Sequence, residues 1–288
     1  MQSPSLAEHT TDLEWQYERA MVAALLSGYD WRWGASKLKV IATEQSFRLP
    51  LRNPATGKPS QLFELAGVID GIVRMEDSRL AVMEHKTASE DLALGSDYWL
   101  RLQNDLQISI YVHAARELGH DVSTVFYDVI RKPSIKPTRV PLLDRTGLKI
   151  VLNADGQRVL KKDGMPRQTG DTAKSYVLQS RPMTPDEWSQ RIIDDIAKRP
   201  DFYYARVEIP RLDQEIEECR AELWDIQKTL REAQRNNRWY RTVTRDTCGF
   251  CSYFGLCSSK TDLSSGVAPE GFEFVSNVHP ELKGLSDE

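Results

Sequence analysis

Asp70, Glu84 and Lys86 are the residues whose types and order could do chemistry together. Asp70 ends the run Gly67-Val68-Ile69-Asp70, and Glu84-His85-Lys86 follows after an interval that fits a hairpin between Ile72 and Leu80. Side chains alternate between the two faces of a strand, so Glu84 and Lys86 share a face and the hairpin lays Asp70 beside them. One pocket then holds two acids and an amine. Two converging carboxylates with an open side hold a hard cation such as Mg²⁺ or Mn²⁺, which takes oxygen ligands and keeps several waters. Water on such an ion is easier to deprotonate, and a neighbouring lysine can orient it or offset charge on a pentavalent phosphate. The chemistry these residues suit is phosphodiester hydrolysis. Glu44 and Glu64 fall on neighbouring strands, where an ion pair is the simpler expectation for each.

A second reactive group lies late in the chain. Cys248, Cys251 and Cys257 form a C-x2-C-x5-C run rich in glycine and aromatic residues. Such close spacing in a chain without a secretory signal points to metal rather than disulfide, and an all-thiolate set suits zinc or an iron–sulfur cluster. The three are expected to converge on one centre that stabilises the C-terminal segment. Cys219, the remaining cysteine, lies on the apolar stripe of a helical pattern and reads either as a fourth ligand or as a small buried hydrophobe. Nearby, Arg235, Arg238, Trp239, Tyr240, Arg241 and Arg245 interleave cations with rings. That pattern fits a surface that tracks phosphates and stacks bases, or else a solvated helix end.

The spacing Asp70-x13-Glu84-x-Lys86 resembles the PD-(D/E)XK nuclease superfamily, and Gly67 ahead of Asp70 resembles the Gly-x-x-Asp form of its RecB-like branch. The resemblance implies that Asp70 and Glu84 hold the metal and that Lys86 assists the attacking water. Gln107-Ile108-Ser109-Ile110-Tyr111 looks like the Gln-x3-Tyr element of RecB-type exonucleases. Four residues of helix put Gln107 and Tyr111 on one face, suited to contacting DNA at the site. The cysteines are similar to those of AddB-type and CRISPR-adaptation nucleases, in which a 4Fe–4S cluster clips the C-terminal segment onto the N-terminal one. Those relatives place the fourth cysteine upstream of the nuclease motifs, and here no cysteine precedes Asp70. The branch also carries an N-terminal metal-binding histidine. His9 is the only histidine before His85, and its surroundings do not read as that motif. The resemblance covers roughly residues 39–131 and 238–257.

The elements that must position these residues follow from periodicity. Leu13 to Leu26 is an amphipathic helix, and Lys39–Leu51, Leu62–Met75 and Leu80–Glu84 read as a three-stranded meander. Tyr98 to Leu118 reads as one helix ended by Gly119. In the strand Val122 to Ile130, Val125, Tyr127 and Val129 alternate with Phe126, Asp128 and Ile130. The order α-β-β-β-α-β predicts a mixed sheet covered on both faces. Between Arg131 and Arg181 stand twelve Lys and Arg against four Asp, broken by prolines and glycines, as in a basic insertion of hairpins or a loop. Thr184 to Glu187 forms a capping box, and a long helix runs from Leu212 to about Arg235. The expected fold is therefore α/β: a restriction-endonuclease-like PD-(D/E)XK core, its mixed sheet flanked by helices, with a C-terminal helical, Cys-rich extension. The expected divisions are a nuclease core over 1–130, the basic insertion over 131–182, the extension over 183–263 and a flexible tail over 264–288.

At 288 residues, with 40% hydrophobic and 28% charged residues and a mean hydropathy of -0.49, the chain can bury a core and is neither fibrous nor disordered. Apolar stretches such as Ala20 to Ser27 fall far short of the ~20 residues of a membrane helix. Residues Met1 to Glu18 are acidic and lack an apolar core, so a cytoplasmic protein without a membrane partner is expected. A net charge of -4 gives no attraction to DNA for the chain as a whole. The expected function is a divalent-metal-dependent DNA exonuclease in DNA processing, recombination or phage or CRISPR-type DNA metabolism. Its expected partners are DNA and recombination or adaptation proteins. The alternatives are a structure-specific endonuclease on the same core, a non-catalytic DNA-binding or redox module built around the cysteines, and a zinc-stabilised scaffold.

Overall fold

The computed structural model describes residues 12–276. Helix α1 (Asp12–Trp33) leads into three consecutive antiparallel strands, β1 (Lys39–Arg52), β2 (Pro59–Arg74) and β3 (Leu80–Ala88). The β1–β2 turn closes where Asn53 donates its amide to Lys58 and its side chain accepts from Ala55. The β2–β3 hairpin closes where Met75 bonds Arg79 across Ser78, which has φ +74°. After β3 the chain crosses over through α2 (Asp97–Leu102) and α3 (Leu106–Glu117), so that β4 (Val122–Arg131) lies parallel to β3. A parallel neighbour requires such a crossover.

The crossover departs from the single helix that periodicity predicts. The apolar stripe Leu102, Leu106, Ile110 runs through the junction unbroken, but Asp105 caps the second helix by accepting the Gln107 amide at 3.0 Å. A side chain that satisfies a helix N-terminus starts a new helix whatever the stripe does. The sheet also gains a strand that periodicity did not single out: β9 (Tyr204–Pro210) pairs antiparallel with β4, giving the order β1-β2-β3-β4-β9.

Alternation along β4 divides the interior. Val125, Tyr127 and Val129 pack with Ile69, Val82 and, from α3, Ile108 and Val112. Ile130 faces the other way, against Ala24 and Leu25 of α1, Tyr203 and Tyr204, and Trp188, Ile192 and Ile196 of α4 (Pro185–Lys198). Each buried side chain of this size contributes roughly 1.5–3 kcal/mol relative to exposure. Helix α1 sits close because Gly28 carries no Cβ: one there would fall 2.3 Å from the Tyr204 hydroxyl and 2.9 Å from Ile196. Helix α4 begins with the expected capping box, Thr184 and Glu187 each bonding the other's amide.

Between β4 and α4 stands a hairpin arm. Its stem pairs β5 (Arg139–Pro141) with β8 (Ser180–Pro182), and above it β6 (Val151–Leu152) pairs with β7 (Val177–Leu178). The short α5 (Pro200–Tyr203) precedes β9, and the chain continues into α6 (Asp213–Asn236), α7 (Arg245–Gly249) and α8 (Phe254–Ser259). Residues 264–276 carry no helix or strand. Among the described residues no helix is long and apolar enough to cross a membrane.

Candidate active site

Strands β2 and β3 pair as far as Gly71 and Met83. One step further the register sets Asp70 opposite Glu84, and there the ladder opens: the Asp70 carboxylate, not a backbone carbonyl, accepts the His85 amide at 3.0 Å. Asp70 is thereby oriented by the strand that carries the other two residues.

Glu84 is only 3% exposed. Its Oε1 accepts from Lys86 Nζ at 2.9 Å, while Oε2 is buried without a partner. Burial pushes its carboxyl above the ordinary carboxylate range; the Lys86 bond and charge oppose the rise, and the nearby Asp70 and Asp105 charges add to it. Lys86 Nζ also donates to Gln107 Oε1 at 3.2 Å and lies 3.9 Å from Asp105 Oδ2. Gln107 Nε2 donates in turn to the Tyr111 hydroxyl at 3.0 Å. Burial raises Tyr111 as well, against the Gln107 hydrogen bond. Four of the five candidate residues of the nuclease half, Glu84, Lys86, Gln107 and Tyr111, thus form one hydrogen-bonded chain, and Asp70 stands beside it on the His85 amide.

Three further residues support this chain. Phe47 on β1 fills the space that Gly67 leaves open and meets Tyr111 edge-on, with centroids 6.2 Å apart. Asp105 fixes the start of α3 and so the position of Gln107. Arg211, 4% exposed, donates to the carbonyls of Gln103 at 2.5 Å, Leu102 at 3.0 Å and Asp105 at 3.4 Å, locking the α2–α3 junction. The N-cap pattern before Leu106 was a readable sign of Asp105; the sequence does not show the role of Arg211, since beside an ion pair with Glu215 at 3.7 Å the partners it locks are main-chain atoms. Glu64 pairs with Arg48 at 3.0 Å as expected, while Glu44 adopts φ +45° within β1.

A buried carboxylate oxygen with no partner is the feature most in need of a cation. Together with Asp70 it offers the hard oxygen donors that Mg²⁺ or Mn²⁺ prefers, with waters to complete the shell. The arrangement fits that ion, which Asp70 and Glu84 would hold.

The cysteines are placed otherwise than expected. Cys248 is half-buried at the end of α7, while Cys251 and Cys257 are exposed, and all are free thiols. Among the described residues no group of three or more His, Cys, Asp or Glu side chains is arranged to hold a metal ion, and the expected convergence of these sulfurs is not seen. Their amides serve a turn, Cys251 bonding the Cys248 carbonyl at 3.4 Å and Cys257 that of Tyr253 at 2.9 Å. Cys219 is buried in α6, where burial pushes its thiol up to about 11, as expected of a small buried hydrophobe. As placed, the cysteines do not fit a closed four-ligand centre. His9 lies outside the described residues.

Residues 2–258 match the model of the PD-(D/E)XK nuclease superfamily. Comparison with curated proteins finds no match. Among solved structures, the chain is similar to one described as the crystal structure of SSO0001. The identity is 14% and the TM-score 0.36, over 84% of this chain and 70% of that one.

Proposed function

The chain belongs to the PD-(D/E)XK nuclease superfamily, a family of metal-dependent nucleic-acid phosphodiester hydrolases, and from that premise we propose that it is a Mg²⁺- or Mn²⁺-dependent DNA exonuclease of RecB-like type. The observation that carries the reading is the buried, unpartnered Oε2 of Glu84 beside Asp70, with Lys86 on the other oxygen. When bound, the ion supplies positive charge that acidifies a coordinated water and offsets charge on the phosphate. Asp70 and Glu84 hold it. Lys86, kept in place by Glu84 and Gln107, holds its ammonium against the Glu84 carboxylate and is the group that orients the attacking water or meets the developing charge. Gln107 and Tyr111 form the flank on which the scissile strand is laid; the resemblance of this Gln-x3-Tyr element to that of RecB-type exonucleases is what favours the exonuclease over the endonuclease.

The iron–sulfur reading of Cys248, Cys251 and Cys257 stands apart from this chemistry, since it lacks a fourth ligand and no step of hydrolysis passes through it. Visible absorption of the purified protein distinguishes an iron–sulfur cluster from zinc. Digestion of end-labelled linear DNA alongside a closed circle tests the main proposal. A metal-dependent loss of the linear substrate with the circle spared is expected; cleavage of both would favour the endonuclease. Lys86→Ala should slow single-turnover cleavage by about 10²-fold or more while DNA affinity stays near that of the parent. An affinity loss without a rate loss would make Lys86 an ordinary phosphate contact.

A further inference from the structure

The arm between β4 and α4 adds no side chain to the catalytic pocket, yet it is built from a repeated unit. Leu143–Ile150, Leu152–Val159 and Leu160–Arg167 are three copies of Leu-x-x-x-Gly-x-x-x. In each copy the leucine bridges to the residue six places on: Leu143 to Lys149, Leu152 to Arg158 and Leu160 to Pro166. The second residue of each copy also bonds the carbonyl of the sixth, at 2.9, 2.9 and 2.8 Å. Gly147, Gly156 and Gly164 take φ of +80°, +76° and +77°, which a side chain would disfavour. The unit is a tight hairpin turn, stacked three times.

Charge within the arm is sorted. Most of its acids are occupied in making turns. Asp144 accepts the amides of Thr146 and Leu148 and pairs with Arg158 at 2.5 Å, Asp163 accepts that of Met165, and Asp171 pairs with Arg167 at 3.3 Å. Arg145, Lys149, Lys161, Lys162 and Lys174 are left exposed, with no ion-pair partner for their side chains among the described residues. The only ring in residues 131–182, Tyr176, is covered by Arg167 at 5.3 Å. The arm therefore presents cations without a stacking platform. Proteins that bind single strands use exposed rings, whereas duplex phosphates need cations alone.

The arm leaves the same end of the sheet as the catalytic pocket, with Ile135 and Val140 of its stem packed on the α1 and α4 side. Val129 lies opposite Lys86 in the parallel ladder, and the Lys132 amide bonds the Ala88 carbonyl at 2.7 Å, so the arm leaves from the end of the sheet that carries Lys86. Its stem is fastened to α4, with Trp188 Nε1 donating to the Ile135 carbonyl at 3.1 Å and Arg191 to Thr138 Oγ1 at 3.0 Å. We propose that this arm grips the phosphate backbone of double-stranded DNA beside the catalytic pocket, through Arg145, Lys149, Lys161, Lys162 and Lys174. The proposal rests on the nuclease reading and adds the duplex as the form of DNA held.

The test compares the chain with a variant in which all five residues are changed to Gln, each in a Glu84→Ala background for binding and with Glu84 intact for cleavage. Binding to a duplex of about 30 base pairs is followed by anisotropy across a salt series. Each phosphate contact contributes about 0.9 to the slope of log K against log salt. The five-site variant should bind at least ~10-fold more weakly with a slope shallower by ~2–4, while single-turnover cleavage at saturating DNA stays within about twofold. A three-site variant, Lys161→Gln, Lys162→Gln and Lys174→Gln, should lose an intermediate amount and serves if the larger change disturbs folding. Unchanged duplex affinity and slope in a chain that cleaves DNA would overturn the arm proposal alone, as would a loss confined to single strands. A parent that neither binds nor cleaves DNA would remove the nuclease reading and the proposal with it.

Discussion

Glu84 carries one oxygen held by Lys86 and one held by nothing, and its burial raises its pKa. A carboxyl whose folded value lies above its unfolded value contributes stability below the unfolded value and loses it as pH rises through the folded one. Metal-free protein should therefore lose stability as pH climbs from the ordinary carboxylate range through the raised value. Mg²⁺ replaces the proton and should restore that stability, so the difference in Tm between Mg²⁺ and EDTA should widen with pH, and Glu84→Gln should flatten it. A difference that ignores pH would remove Glu84 from the metal site. The residues on this scale were legible where chemistry depends on alternation, since a Glu and a Lys two apart on a strand must share a face. Arg211 was not legible, because main-chain carbonyls leave no trace in side-chain pattern.

At the scale of elements, the position of α3 against the sheet is set by Gly67. A Cβ at Gly67 would fall 2.8 Å from Phe47 Cζ, and Phe47 is 1% exposed, so its ring cannot swing aside into solvent. The ring supports Tyr111, whose hydroxyl holds Gln107, which holds Lys86. Gly67→Ala should thus cost about 1–3 kcal/mol by overpacking and also slow cleavage. Phe47→Leu in the same chain should recover part of both losses, a coupling that a double-mutant cycle reads directly. Additive effects would show that the ring does not transmit the displacement. Strands β1 to β3 could be read because each is a run rich in apolar and β-branched residues, bounded by turn residues such as Asn53-Pro54 and Asp77-Ser78. The α2–α3 break could not, since the apolar stripe continues across Asp105; nor was β9 singled out, although Ala205, Val207 and Ile209 alternate, because Arg206 and Glu208 between them resemble a solvated face.

Across the whole molecule, the face of the sheet opposite the catalytic residues is closed by a buried charge. His85, Asp128 and Arg206 lie side by side on β3, β4 and β9. Asp128, its side chain wholly buried, accepts the Tyr29 hydroxyl and takes Arg206 Nε at 3.2 Å and Nη2 at 3.0 Å, while Arg206 lies 4.4 Å from the centre of the Trp33 ring. Tyr29 and Trp33 belong to α1, so this cluster clasps the first helix onto the last strand added to the sheet. Asp128 had looked like the polar member of an alternating strand; it is buried because α1, remote in sequence, covers it. Removing one partner of a buried pair strands the other charge, so Asp128→Ala should destabilise the protein by ~3–5 kcal/mol. Screening reaches buried charges weakly, so the loss should persist at high salt. Adding Arg206→Met removes the stranded charge and should recover much of the loss, while the metal dependence of cleavage remains that of the parent because the catalytic carboxylates face away. If Asp128→Ala alone left denaturant unfolding unchanged, or if salt erased its effect, the pair would be an ordinary surface bridge and α1 would be held by the packing of Ala24, Leu25 and Trp188 alone.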